Sequence, residues 1–252
     1  MTHAVFAPIV IAQRFCGPPR SANGGYLCGR LAALAEGIVT VRLRVPPPLD
    51  VPMQPTRSDD GRLFLHAGDV LVAEAEPAEL SLDVPPAVSH ETAQLASHGY
   101  IGFESHPFGT CFVCGVQRSH GDGMRIFAGA TATAGQVAAP WVPDASLCLP
   151  DGKVAPEFMW AALDCPGFFA ASDDGRAMLL AEFTAQVDRR ACLNERCVVI
   201  GWRMLSAGRK HEVGTALFDE RGTLLARARG LWIEPRAVSG AGKAESSPHP
   251  LR

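Results

Sequence analysis

Lysine is nearly missing from this chain: Lys153, Lys210 and Lys243 are the only three in 252 residues. Arginine carries the remaining positive charge, a bias without functional content. A basic surplus is missing too. Lys and Arg total 23 against 26 acidic residues, for a formal net charge of -3. That balance lacks the electrostatic footprint of a nucleic-acid binder. No apolar run approaches the roughly 20 residues needed to span a bilayer. The opening stretch MTHAVFAPIVIAQRF is apolar, with neither a cationic start nor a small-residue cleavage site. A secretory signal is therefore not expected, and the cytoplasm is the expected compartment. A G-x-S-x-G nucleophile elbow, a Walker loop and a G-x-G-x-x-G fingerprint are all absent.

What is present is enough apolar material for a core. Hydrophobic residues make up 47% and charged residues 19%, a balance unlike that of disordered chains. The length suits one large domain or two of roughly 120 residues. Eight cysteines lie scattered from Cys16 to Cys197. Disulfide scaffolds concentrate their cysteines in short sequences, so these read as reduced thiols.

Along the chain, Val, Ile and Phe predict a strand over residues 4–15. Ser21 can cap a helix over 22–36 that ends at Gly37. Alternation of Val39, Val41, Leu43 and Val45 with Thr40, Arg42 and Arg44 predicts a half-buried strand over 38–45, stopped by three prolines. Strands follow over 62–66 and 70–75. Prolines and polar residues then suggest a linker with one short helix near 91–97. Further strands are expected over 124–127 and 135–139. The segment 156–171 is apolar nearly all round, with Pro156 suited to a first helical turn and Pro166-Gly167 expected to break or kink the helix. Strand patterns cover 177–188, 197–205, 212–218 and 224–233. The tail from residue 237 has a disordered composition.

Each half therefore reads strand, apolar helix, then antiparallel strands. A helix apolar on most sides must be enclosed, and a curved antiparallel sheet wrapped around it does so. This order predicts an α+β double hot dog, two antiparallel sheets each wrapped around a central helix and joined edge to edge. The expected units are residues 1–80, the N-terminal hot dog; 81–120, a linker with a Cys-x-x-Cys loop; 121–236, the C-terminal hot dog; and 237–252, the tail. Exposed sheet edges also predict association into a homodimer.

Specific segments carry a resemblance. Asn23-Gly24-Gly25-Tyr26, the run VTVRLRVPPP beginning at Val39, and Asp60-Gly61-Arg62-Leu63-Phe64 resemble the N-terminal hot dog of type II acyl-CoA thioesterases. In that family a Gly-Gly pair opens the helix, a proline-containing corner ends the next strand, and an Asp-Gly turn follows. Ala161-Ala162-Leu163-Asp164 sits where the family carries an Asp on its second central helix. The resemblance spans about residues 5–76 and 154–234 and leaves out 80–150. It implies an acyl-CoA or another acyl thioester as substrate, no cofactor, and an Asp acting with a hydroxyl and an amide residue. The strand LLAEFTAQVDR offers Thr184 and Gln186 for those two parts.

Asp164 is the foremost candidate. Its apolar setting disfavours the charged form and raises its pKa, which suits a general base. Its competing role is structural, as a cap or the partner of a buried Arg. Backbone N–H groups of Asn23, Gly24, Gly25 and Tyr26, or those at the Pro156 helix start, could hold a thioester oxygen, although the glycines also serve close packing. Glu182, Thr184, Gln186 and Asp188 share one strand face, which solvation alone would explain. Cys111 and Cys114 have zinc-knuckle spacing, with His106, His120 and Cys148 as the nearest completers. Dithiol redox is a second reading of that spacing, and a plain thiol-rich loop at a tip, unneeded for turnover, is the favoured one. Neither predicted central helix contains a His, unlike hot-dog hydratases. The sequence thus points to a thioester hydrolase in which Asp164 activates water. The alternative is a non-catalytic binder of acyl-CoA or fatty-acyl groups.

Overall fold

The computed structural model describes residues 4–172 and 176–236. The predicted tail from residue 237 lies outside them. In chain order the elements are β1 (Ala4–Val5), α1 (Gly24–Ala32), β2 (Val39–Leu43), β3 (Gln54–Arg57), β4 (Leu63–Ala67) and β5 (Val70–Pro77). Then come α2 (His90–His98), β6 (Gly129–Ala130), β7 (Gln136–Trp141), α3 (Pro156–Ala171), β8 (Leu179–Val187), β9 (Cys197–Ala207), β10 (Lys210–Asp219) and β11 (Leu224–Ile233).

The strands form one continuous sheet of eleven, where two sheets joined at an edge were expected, in the order β1-β3-β4-β5-β2-β8-β11-β10-β9-β7-β6. Every pairing is antiparallel. The halves of the chain meet where β2 pairs with β8: Thr40 lies opposite Thr184, Val41 opposite Phe183 and Arg42 opposite Glu182. One side of this seam is apolar, with Val41 and Phe183 buried. On the other side Arg42 bridges Glu182 at 2.8 Å and Glu76 at 2.6 Å. These ions are about one-third exposed, so they fix register more than they add stability.

Residues 156–171 are helical throughout, as the sequence predicts. The predicted break at Pro166-Gly167 does not occur: α3 runs uninterrupted through both residues. Pro166 has no N–H to give to the Ala162 carbonyl, and packing against β9, β10 and β11 keeps the helix continuous. Fourteen of the sixteen residues of α3 are buried, and β9, β10 and β11 pack along it.

Helix α1 lies directly against α3, and glycine is what lets it do so. A Cβ on Gly25 would sit 2.5 Å from Cβ of Asp164 and 2.9 Å from the Trp160 carbonyl oxygen. One on Gly29 would sit 2.7 Å from Cα of Glu157. The start of α1 is later than predicted. Asn23 is its N-cap, accepting from Tyr26 N–H at 2.9 Å, while Ala22 is drawn out of the helix by a backbone bond to Pro47.

Three further expectations change. Residues 4–15 form only the two-residue β1, one isolated bridge from Ile9 to Met53, and a 3-10 turn over Gln13–Phe15. The predicted strand at 124–127 is buried but irregular, with Arg125 at φ 55° and its N–H bonds going to Phe112 and Val113. The segment read as a linker is part of the body. Helix α2 lays Ala93 and Ala96 on the opposite face of the sheet from α3, against Ala138, Val198, Ile200 and Phe218. Among the described residues, no helix is long and apolar enough to cross a membrane.

Candidate active site

The close α1–α3 crossing puts a carboxylate at the start of a helix. Asp164 is 2% exposed. Its Oδ2 accepts from Asn23 Nδ2 at 2.7 Å and from Gly25 N–H at 3.0 Å. Its Oδ1 is equally buried and has no hydrogen-bond partner. Burial pushes the carboxyl up, the Gly25 N–H pulls it down, and burial wins: the pKa rises from 3.8 to about 7. The two carboxylate oxygens thus differ. One is anchored by α1, and the other is left without a donor.

Asp164 lines a cavity of about 290 Å³ whose walls are mainly apolar. Phe168, Met178, Leu180 and Trp232 supply that character, and Arg44 and Arg209 also border it. Gly24 lines it as well. As the first residue of α1, Gly24 holds one of the N–H groups that a helix leaves without an intrahelical acceptor.

Of the residues expected at the site, Asp164, Asn23, Gly24 and Gly25 come together. Tyr26 does not line the cavity: its ring stacks on Phe15 at 4.5 Å and its hydroxyl accepts from Arg30. Thr184 is buried at the β2–β8 seam, its hydroxyl 2.7 Å from that of Thr40. The Gln186 amide donates to Asp188 at 2.6 Å and its carbonyl accepts from Arg227 at 2.9 Å. Neither Thr184 nor Gln186 lines the cavity.

The Cys-x-x-Cys segment is not at a loop tip. Cys111 and Cys114 are 3% and 4% exposed, and both line the cavity beside Cys165 of α3. The segment is anchored by Phe112 N–H to the Cys16 carbonyl at 2.7 Å. Of the proposed completers, only His106 borders the cavity. Phe108 N–H donates to its Nδ1 at 2.9 Å. Nε2 therefore carries the proton and donates to the Cys114 carbonyl at 3.1 Å, and burial lowers the ring's pKa. The missed signal was in the sequence: Cys111-Phe112-Val113-Cys114 is an uncharged apolar run, and such a run seeks the core.

No protein-family model matches the chain, and no curated protein does. Solved structures do. The tesB protein of Mycobacterium avium subspecies paratuberculosis aligns over 92% of this chain and 93% of its own, with 16% identity and a TM-score of 0.58. The chain has a thioesterase fold. A candidate thioesterase II from Thermobifida fusca YX aligns over 92% of this chain and 96% of its own, at 16% identity and TM-score 0.59. A candidate thioesterase from Novosphingobium aromaticivorans does so over 92% and 94%, at 13% and 0.57. The full-length alignments extend the thioesterase-like architecture through the segment that the sequence resemblance left out. At such identities the likeness is one of fold, and chemistry rests on the site itself.

Proposed function

We propose that this chain hydrolyses an acyl thioester, with Asp164 as general base and an acyl-CoA as the carrier form. The double hot-dog reading accompanies this, with each half of the continuous sheet curved around its own helix. The observation that carries the proposal is the divided carboxylate. Asn23 and Gly25 hold Oδ2, so Oδ1 is free to take a proton while the group stays oriented.

The acyl chain lies along Phe168, Met178 and Leu180. Oδ1 removes a proton from water as the water oxygen attacks the thioester carbonyl. The oxyanion that forms is met by the N–H of Gly24 at the α1 N-terminus. The carbonyl re-forms, the C–S bond breaks, and Asp164 returns its proton to the departing sulfur. The products are one carboxylic acid and one free thiol.

Binding without turnover is the second reading. It draws on Thr184 and Gln186 being tied to other side chains, which leaves Asp164 without a hydroxyl or amide partner from β8. Thiol release from a panel of acyl-CoAs separates the two. The hydrolase reading expects saturable, catalytic release of free thiol for chains that fit the cavity. Saturable binding with no thiol released by any member of the panel would establish the binder instead.

A further inference from the structure

Three thiols that the hydrolytic chemistry does not use are gathered beside Asp164. The sulfurs of Cys111, Cys114 and Cys165 all lie within 4.8 Å of one another. Cys111 and Cys165 are 3.7 Å apart. That is far beyond a disulfide bond of about 2.05 Å. Three ligands of a tetrahedral zinc, each at about 2.3 Å from the ion, are about 3.8 Å from one another. The Cys111–Cys165 pair has that spacing already, and the Cys114 sulfur lies within 4.8 Å of both.

A side-chain amide lies beside the sulfurs. Asn23 Nδ2 lies 4.0 Å from the Cys111 sulfur and 3.9 Å from that of Cys165. Donors of this kind orient metal-bound sulfur and stabilise its charge. The turn is tight as well. Gly115 N–H bonds the Cys111 carbonyl at 2.9 Å, and a Cβ on Gly115 would collide with the Cys111 backbone. Two sulfurs come from this turn and the third from α3, so an ion would clasp the segment 106–127 to the central helix.

We propose that Cys111, Cys114 and Cys165 form a binding site for a thiolate-seeking divalent ion, zinc, whose fourth coordination position faces the cavity. All three cysteines line that cavity, so water or a ligand donor atom can complete the tetrahedron. Thiolate donors select zinc over magnesium, calcium or manganese. The site stands on these sulfurs alone and does not depend on whether the chain hydrolyses thioesters.

The test is metal content. The full chain is produced in zinc-supplemented medium, purified without chelator under reducing conditions and analysed by plasma mass spectrometry. One zinc per chain is expected, released on thiol alkylation. Cys111→Ser and Cys165→Ser should lower this to none, while Cys192→Ser, outside the cluster, should retain it. If a cluster variant does not fold, the metal-free reduced wild type titrated with Co²⁺ decides. A stoichiometric thiolate-to-cobalt charge-transfer band with tetrahedral visible absorption supports the site. No retained zinc together with no such band overturns it, as does full zinc content in both cluster variants. A wild-type chain two mass units light, with Cys111 and Cys114 joined, also overturns it and assigns a redox pair.

Discussion

Asp164→Asn lowers kcat for thioester hydrolysis by about 10²–10⁴-fold, the typical worth of general-base assistance, while the fold and acyl-CoA binding survive. The reason lies in the asymmetry of the carboxylate. The Asn carbonyl oxygen can take the place of Oδ2 and accept from both Asn23 Nδ2 and Gly25 N–H, now at 2.7 and 3.0 Å. The amide nitrogen takes the place of Oδ1, which has no donor to conflict with. The variant also removes the buried ionisable group, so its thermal stability should not fall. Circular dichroism, a melting curve and steady-state kinetics check all three points. Unchanged kcat would move the chemistry away from Asp164. An unfolded variant would make the carboxylate a structural clasp between α1 and α3 and bring the binding reading forward.

Gly25→Ala should cost both stability and activity. At an open helical position Ala gains roughly 0.5–1 kcal/mol over Gly. Here the new methyl would sit 2.5 Å from Cβ of Asp164 and 2.9 Å from the Trp160 carbonyl. Overpacking of this kind costs about 1–3 kcal/mol, so the net sign is destabilising. At this chain length each kcal/mol lowers Tm by about 2–4 °C. The methyl also pushes α1 away from the carboxylate and lengthens the Gly25 N–H bond to Oδ2, so kcat falls with Tm. Gly29→Ala is the control. Its methyl meets Cα of Glu157 at 2.7 Å, about two helical turns away from Asp164, so it should lower Tm with a smaller loss of kcat. Equal loss of kcat in both variants would mean that helix separation in general, and not the hold on Asp164, governs turnover.

The two halves of the chain differed in how far their sequence revealed them. Helix α3 and strand β11 were legible to the residue. In α3, Pro156 opens a long apolar run; in β11, a turn precedes alternation that one covered face enforces. That the halves meet sheet edge to sheet edge was expected from the repeated order of elements; that β2 and β8 make the join was not. Strand β3, reading Gln54-Pro55-Thr56-Arg57, went unseen because it has a proline and almost no apolar residue. It is viable because β1 pairs only with Arg57 and Thr56. Pro55 lies beyond that ladder, where its missing N–H costs little. The reverse error arose at 4–15. Its β-branched residues suggested a long strand, yet Pro8 interrupts it and only Ala4 and Val5 pair with β3.

At the site, Asp164 was legible because a carboxylate inside an apolar helix must have a reason to be there. The meeting of Asn23, Gly25 and Asp164 could be expected from two helices lying side by side. The cysteine cluster could not, because it joins residues 54 positions apart and spacing within one loop shows only two of its members. Thr184 and Gln186 shared a strand face in sequence, and they share it in the structure. Sequence alternation identifies the face but not what covers it, and here Thr40, Asp188 and Arg227 do.

A single-turnover reaction in ¹⁸O-labelled water, with protein in excess over acyl-CoA, tests the general-base assignment most directly. Water attacking the thioester carbonyl under Asp164 predicts that the first acid released carries one ¹⁸O and that the Asp164 peptide stays unlabelled. Unlabelled acid in the first turnover, with ¹⁸O in the Asp164 carboxyl, would contradict that assignment and make Asp164 the nucleophile.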